Sequence, residues 1–148
     1  MPRLLPICIA LTALLLSACQ TAPPAPDQSQ ETDARERIDA GDYRAAGTEF
    51  ERLANEKRGL RDYYRLRAAE AWREEAELDA VARLLGEIKR KNLDAGQNLR
   101  FDLLAAEIAL SQQQAARASA LLAVDDARIP ATVRERWLEL QARAFAAE

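Results

Sequence analysis

Histidine does not occur anywhere in the 148 residues. Its absence removes the usual base of a catalytic triad and the commonest neutral metal ligand. No alternating β-branched run from Asp33 onward is long enough to be a strand. No charge dominates: 21 basic residues face 24 acidic ones, for a net charge of −3. The two signs are interspersed, which describes a solvated helical surface and leaves no basic footprint for nucleic acid. Long apolar runs are also missing once the first residues are passed, so no second segment offers a membrane span.

The one apolar run is at the start. Arg3 gives a positive end, and Leu4 to Leu16 is broken only by Pro6, Cys8 and Thr12. That run is short of the roughly 20 residues a spanning helix needs, and it reads as the core of a cleavable export signal. Leu16-Ser17-Ala18-Cys19 puts small residues directly before a cysteine and resembles the lipobox of bacterial lipoproteins. The resemblance implies removal of residues 1–18 as a lipoprotein signal peptide and lipidation of Cys19, which becomes the new N-terminus. Each buried acyl methylene adds about 0.8 kcal/mol, so two or three chains make a durable anchor. Cys8 leaves with the leader, so no disulfide or cysteine-ligated metal site is expected. In Gram-negative lipoproteins an Asp after the lipidated cysteine commonly retains the protein at the inner membrane. Gln20 therefore implies the outer membrane, facing the periplasm. Losing Arg3 with the leader leaves 20 basic against 24 acidic residues, a net charge of −4.

Residues 19–32 are polar and rich in proline, with Pro23, Pro24 and Pro26, and are expected to form a disordered tether of roughly 40 Å at most. From Asp33 the chain is rich in Ala, Leu, Arg and Glu at helical spacing, which predicts an all-α domain over 33–148. Helices are expected at roughly 33–40, 43–57, 60–74, 77–91, 97–111, 114–124 and 131–147. Asp33-x-x-Glu36, Asp94-x-x-Gln97 and Thr132-x-x-Glu135 have capping-box spacing, although Pro130 competes with Thr132 as the start of the last helix.

Internal repetition decides the architecture. Ala68-Ala69-Glu70 recurs 37 residues later as Ala105-Ala106-Glu107, and Tyr64, Phe101 and Trp137 are 37 and then 36 residues apart. Each aromatic is followed seven residues on by Ala71, Ile108 or Ala144, two turns along the same helical face. In the alternate helices Ala46 and Phe50, Val81 and Leu85, and Ala118 and Leu122 are four apart. Such a period predicts a tetratricopeptide-like antiparallel helical-hairpin solenoid. Gly41-Asp42-Tyr43 makes the most repeat-like junction. Looser turns are expected at Glu75-Ala76-Glu77 and Gln112-Gln113-Gln114, where no glycine stands. Seven helices leave the last without a partner, so the domain is expected to be incomplete at its C-terminal end.

Chemistry is scarce. Ser17 belongs to the leader, Ser29 to the tether, and Ser111 and Ser119 lack a base spaced for them. Glu70 and Glu107 occupy equivalent repeat positions and could form a carboxylate pair, but they read better as exposed helix glutamates. Tyr64, Phe101 and Trp137 could line a ligand groove, yet their register favours the core. Arg65, Arg67, Arg73, Arg134, Arg136 and Arg143 could face an acidic partner, though i, i+4 pairs along their own helices are the simpler expectation. No catalytic residue, cofactor, metal or small-molecule substrate is expected, and the chain reads as non-enzymatic.

With lipobox, proline tether and repeats together, the chain resembles the N-terminal part of the LppC/LpoA-type lipoproteins, outer-membrane activators of penicillin-binding protein 1A. The stretches from Leu99 to Leu110, with Phe101, Ala105, Ala106 and Glu107, and from Arg134 to Phe145, with Trp137 and Leu140, carry the likeness. The resemblance implies an outer-membrane-anchored scaffold that stimulates peptidoglycan synthesis by contact with that synthase. It further implies a larger second domain, shaped like a two-lobed periplasmic binding protein, beyond these residues, and it assigns no partner-binding residue here. The alternative is a tetratricopeptide-type lipoprotein serving another envelope machine, such as outer-membrane protein insertion or pilus assembly. The Glu-Ser dipeptide typical of lytic transglycosylases, which also use helical solenoids, does not occur.

Overall fold

The computed structural model describes residues 28–148. The expected leader, Cys19 and the tether as far as residue 27 lie outside the described residues. Within them there are seven α-helices and no strand: α1 Gln28–Asp39, α2 Tyr43–Glu56, α3 Arg61–Glu74, α4 Leu78–Glu87, α5 Ala95–Ser111, α6 Ala115–Leu122 and α7 Ala131–Ala146. Short 3-10 turns at Arg58–Leu60, Arg90–Asn92 and Asp126–Arg128 punctuate the longer connections. Short connections between packed neighbours make successive helices antiparallel, so the chain forms stacked hairpins, an all-α helical solenoid.

Three hairpin turns repeat one backbone device. Gly41, Ala76 and Gln113 all have positive φ, at 75°, 57° and 61°. In each, two N–H groups fold back onto the end of the preceding helix: Gly41 and Asp42 donate to Ile38 and Arg37, Ala76 and Glu77 to Arg73 and Trp72, Gln113 and Gln114 to Leu110 and Ala109, all at 2.8–3.0 Å. This is a Schellman closure, which satisfies carbonyls that a helix end leaves free. The junctions at Ala76 and Gln113, expected to be looser, therefore have the geometry of the one at Gly41. Asp42 then caps α2, its Oδ1 accepting from the Ala45 N–H at 3.1 Å.

Two boundaries depart from expectation. Helix α1 begins at Gln28, so Asp33 lies inside it and caps nothing. The extra turn places Glu31 in a buried position, where Arg35 four residues on pairs with its carboxylate at 2.6 Å. Helix α4 stops at Glu87 because the backbone turns extended at Ile88 (φ −77°, ψ 130°), which lets Ile88 and Leu93 enter the core. Of the three capping boxes, Asp94 with Gln97 is complete in both directions. At α7 the N-cap is Pro130, and Thr132 makes no capping bond; proline's fixed φ starts the helix without one.

Packing follows the repeat register. Tyr64, Ala71, Trp137 and Ala144 are buried, as are Ala46, Phe50, Val81, Leu85, Ala118 and Leu122. Helix α5 is the shared wall between two cores. Leu104 and Ile108 face a first core built from α1 to α4, whereas Leu103, Ala106 and Ala109 face a second built with α6 and α7. Between them these positions cover the helix nearly all round, so α5 shows the continuous hydrophobicity of a central element.

Candidate functional site

Helices α3, α5 and α7 lie side by side, and the surface they share carries a ladder of ion pairs. Arg100 of α5 reaches Glu70 of α3 at 3.2 Å, and Arg67 approaches the same carboxylate at 3.2 Å. One repeat on, Arg136 of α7 pairs closely with Glu107 of α5. The two glutamates at equivalent repeat positions are thus each occupied by a guanidinium from the next repeat. They do not form a carboxylate pair. Such partly exposed pairs contribute roughly 0–1 kcal/mol each, so their role is to fix the register between repeats.

Arg73 stands between the two rungs. Burial lowers its pKa from the ordinary guanidinium value, and the like charge of Arg136 lowers it further, against the pull of Glu107, Glu70 and Glu139. Its Nε is buried without a hydrogen-bond partner. Around it Glu70, Glu74, Arg100, Leu103, Val133 and Arg136 border a groove of about 260 Å³.

A second groove, of about 390 Å³, opens where α4, α5 and α6 meet. Its floor is Leu85, Phe101, Ala105, Ile108 and Leu121, and Arg90 and Arg117 stand at its rim. The Arg90 guanidinium lies 4.9 Å from the Phe101 ring centre and pairs with Asp102 at 2.8 Å. Burial raises the Asp102 pKa, with Arg90 opposing the shift. Phe101 is therefore half-buried at a groove, whereas its register equivalents Tyr64 and Trp137 are core residues.

The six arginines singled out by their positions divide between their own helix and its neighbours: Arg67 pairs with Glu70 and Arg73 with Glu74 on α3, whereas Arg136 reaches Glu107 of the preceding repeat. Arg143 makes the expected i, i+4 pair, with Glu139 at 3.6 Å, but Arg65 ties the α4 end through Glu87 at 2.7 Å, and Arg134 binds Asp126 and the Ile129 carbonyl. The Arg136 pair links helices one period apart, which the spacing of 36–37 residues could have indicated. Ser111 donates to the Ile108 carbonyl at 2.7 Å and Ser119 bonds Glu148 at 2.6 Å, both structural roles. Among the described residues no group of His, Cys, Asp or Glu could hold a metal ion. No helix of the described residues is long and apolar enough to cross a membrane.

The model of the LppC putative lipoprotein family matches residues 45–148, from the first turn of α2 through α7. The chain belongs to the LppC family. The family's signature thus falls on the repeats themselves, including both grooves and the complete ion-pair ladder. No curated protein and no solved structure matches the chain. Cys19, the expected lipidation site of this LppC-family lipoprotein, lies outside the described residues.

Proposed function

We propose that this chain is the helical scaffold of an outer-membrane-anchored lipoprotein that binds and activates penicillin-binding protein 1A, without catalysis of its own. The family match over the repeats is the observation that carries this reading. The lipobox at Leu16–Cys19 and Gln20 supports the anchor and the outer membrane, and the capture of Glu70 and Glu107 in ion pairs supports a non-catalytic role. In the proposed arrangement the acylated Cys19 holds the protein to the bilayer and the solenoid projects into the periplasm. Contact with the synthase then raises cross-linking of new peptidoglycan.

The test is reconstitution. Purified lipidated chain is added to penicillin-binding protein 1A with lipid-linked precursor, in parallel with a longer LppC-family protein, and the cross-linked fraction of the product is measured. A rise with either protein is the expected result. Unchanged cross-linking with both rejects the reading. Product cleaved by the lipoprotein alone, and spared by Glu70→Gln or Glu107→Gln, would replace it with an enzymatic one.

A further inference from the structure

The two edges of the stack differ in charge. The turns at 40–42 and 75–77 lie on one edge, as the reach of Arg44 at the start of α2 to Glu75 and Glu77 shows. That edge is acidic, with Asp39, Asp42, Glu74, Glu75, Glu77 and Asp79. The connections at 57–60 and 88–94 lie on the other edge, joined by the Asn92 amide donating to Asp62 at 2.6 Å. Here the sequence places Lys57, Arg58 and Arg61, then Lys89, Arg90 and Lys91.

These cations are surplus to the fold. Arg90 pairs with Asp102, but among the described residues Lys57, Arg58, Arg61, Lys89 and Lys91 make no ion pair. The acids nearby are already occupied: Glu56 by Arg52, Glu87 by Arg65 and Arg83, Asp62 by Asn92 and Arg65, and Asp94 by its capping role. Arg61 even opens α3, where a positive charge opposes the helix dipole. The third connection carries Asp125 and Asp126 beside Arg128, so the cationic strip is confined to the first two.

Topology relates the strip to the chain's beginning. Helix α1 runs from Gln28 to the turn on the acidic edge, so Gln28 starts on the cationic edge. From there nine residue steps lead back to Cys19, a reach of at most about 28 Å. We propose that Lys57, Arg58, Arg61, Lys89 and Lys91 form a strip that seats this edge on the anionic phospholipid headgroups of the leaflet carrying the Cys19 anchor. The inference rests on the anchored reading above. An acyl anchor alone leaves orientation free; a polybasic strip adds attraction to anionic lipid near the surface. The net negative charge of the remaining surface repels the other orientations.

All the lysines of the chain, Lys57, Lys89 and Lys91, lie in the strip, so amine modification reports on it directly. The lipidated chain is bound to vesicles of phosphatidylcholine alone or with about 30 % phosphatidylglycerol, and a water-soluble amine reagent is followed residue by residue in a mass spectrometer. Each lysine is expected to react about fivefold more slowly on the anionic vesicles, and the difference should vanish near 0.5 M salt. Arg58→Glu with Arg61→Glu should abolish the protection without unfolding, since Arg61→Glu improves the α3 dipole. Equal rates on both vesicles, or protection that survives salt, overturns the proposal in favour of a neutral or protein-filled edge. Failure to partition into the neutral vesicles would reject the anchor instead, and protection on anionic vesicles would still decide the strip.

Discussion

The two cores on either side of α5 use one repeat in different ways. The first is filled by large rings: Phe50 and Tyr64 stack with centroids 6.4 Å apart, Tyr63 meets Tyr64 edge-on at 5.2 Å, and the Arg67 guanidinium covers Phe50 at 5.2 Å. The second surrounds one large ring, Trp137, with Leu103, Leu122, Ile129 and Leu140 and with Ala106, Ala109, Ala118 and Ala144. Trp137 is also wired to the backbone, its Nε1 donating to the Leu122 carbonyl at 3.1 Å. Helix α7 beyond it shows Leu138 and Phe145 to solvent. A repeat of this period can thus be filled either by several rings in contact or by one ring set among aliphatic side chains.

The sharpest way to break this comparison is Trp137→Ala. Loss of a buried tryptophan costs roughly 3–5 kcal/mol and removes one of the donors to the Leu122 carbonyl, which keeps the Val124 N–H at 2.8 Å. Nearest-neighbour stability in a solenoid confines the damage. Amide hydrogen exchange should therefore accelerate across α6 and α7 while α2 and α3 keep their protection. Phe50→Ala should cost a similar amount but spread its effect over α1 to α4, because its neighbours are shared among those helices. If both substitutions unfold the whole domain together, the two cores form one cooperative unit and the contrast fails.

A smaller effect tests how tightly the first core is filled. A Cβ added at Gly47 would lie 2.8 Å from the Trp72 ring, whose Nε1 is held by Glu51 at 2.7 Å. Gly47→Ala should destabilise by about 1–3 kcal/mol through overpacking, although alanine is the better helix former. Gly86→Ala makes the control, since its Cβ would meet nothing within 4 Å and only the helix propensity gain of up to about 1 kcal/mol remains. Urea midpoints moving in the same direction for both would show that Trp72 can shift and that the first core is looser than its rings suggest.

Much of this organisation was readable beforehand, and the misreadings have physical causes. Ala46 with Phe50, Val81 with Leu85 and Ala118 with Leu122 announced the buried stripe, because a spacing of four fixes a helical face whatever the loops do. Arg100 to Glu70 and Arg136 to Glu107 were missed because salt bridges across a stack have no spacing along a single helix; only the repeat period relates them. The first turn of α1 falls in the expected tether because Pro23, Pro24 and Pro26 dominate that stretch, yet no proline follows Pro26 before Pro130 and α1 begins at Gln28. Cys19 rests on the sequence alone.

The hairpin turns were misread through glycine, and they supply the most delicate test of how alike the two halves are. Ala76 closes the turn after α3, in the first core, and Gln113 the turn after α5, in the second, both at positive φ and both with the bonds of Gly41. A side chain in that region carries roughly 1–2 kcal/mol of strain that glycine avoids, against about 0.4–1 kcal/mol of extra freedom that glycine returns to the unfolded chain. Ala76→Gly and Gln113→Gly should therefore each stabilise by about 0.5–1 kcal/mol, and Gly41→Ala should destabilise by a comparable amount. Thermal denaturation of the three variants would measure it. Equal gains at 76 and 113 would mean that the turns are interchangeable and that the halves differ only in their side-chain filling. A gain at 76 alone would place the difference in the backbone as well, with the turn at 113 free to leave the left-handed region because the second core holds its helices less firmly.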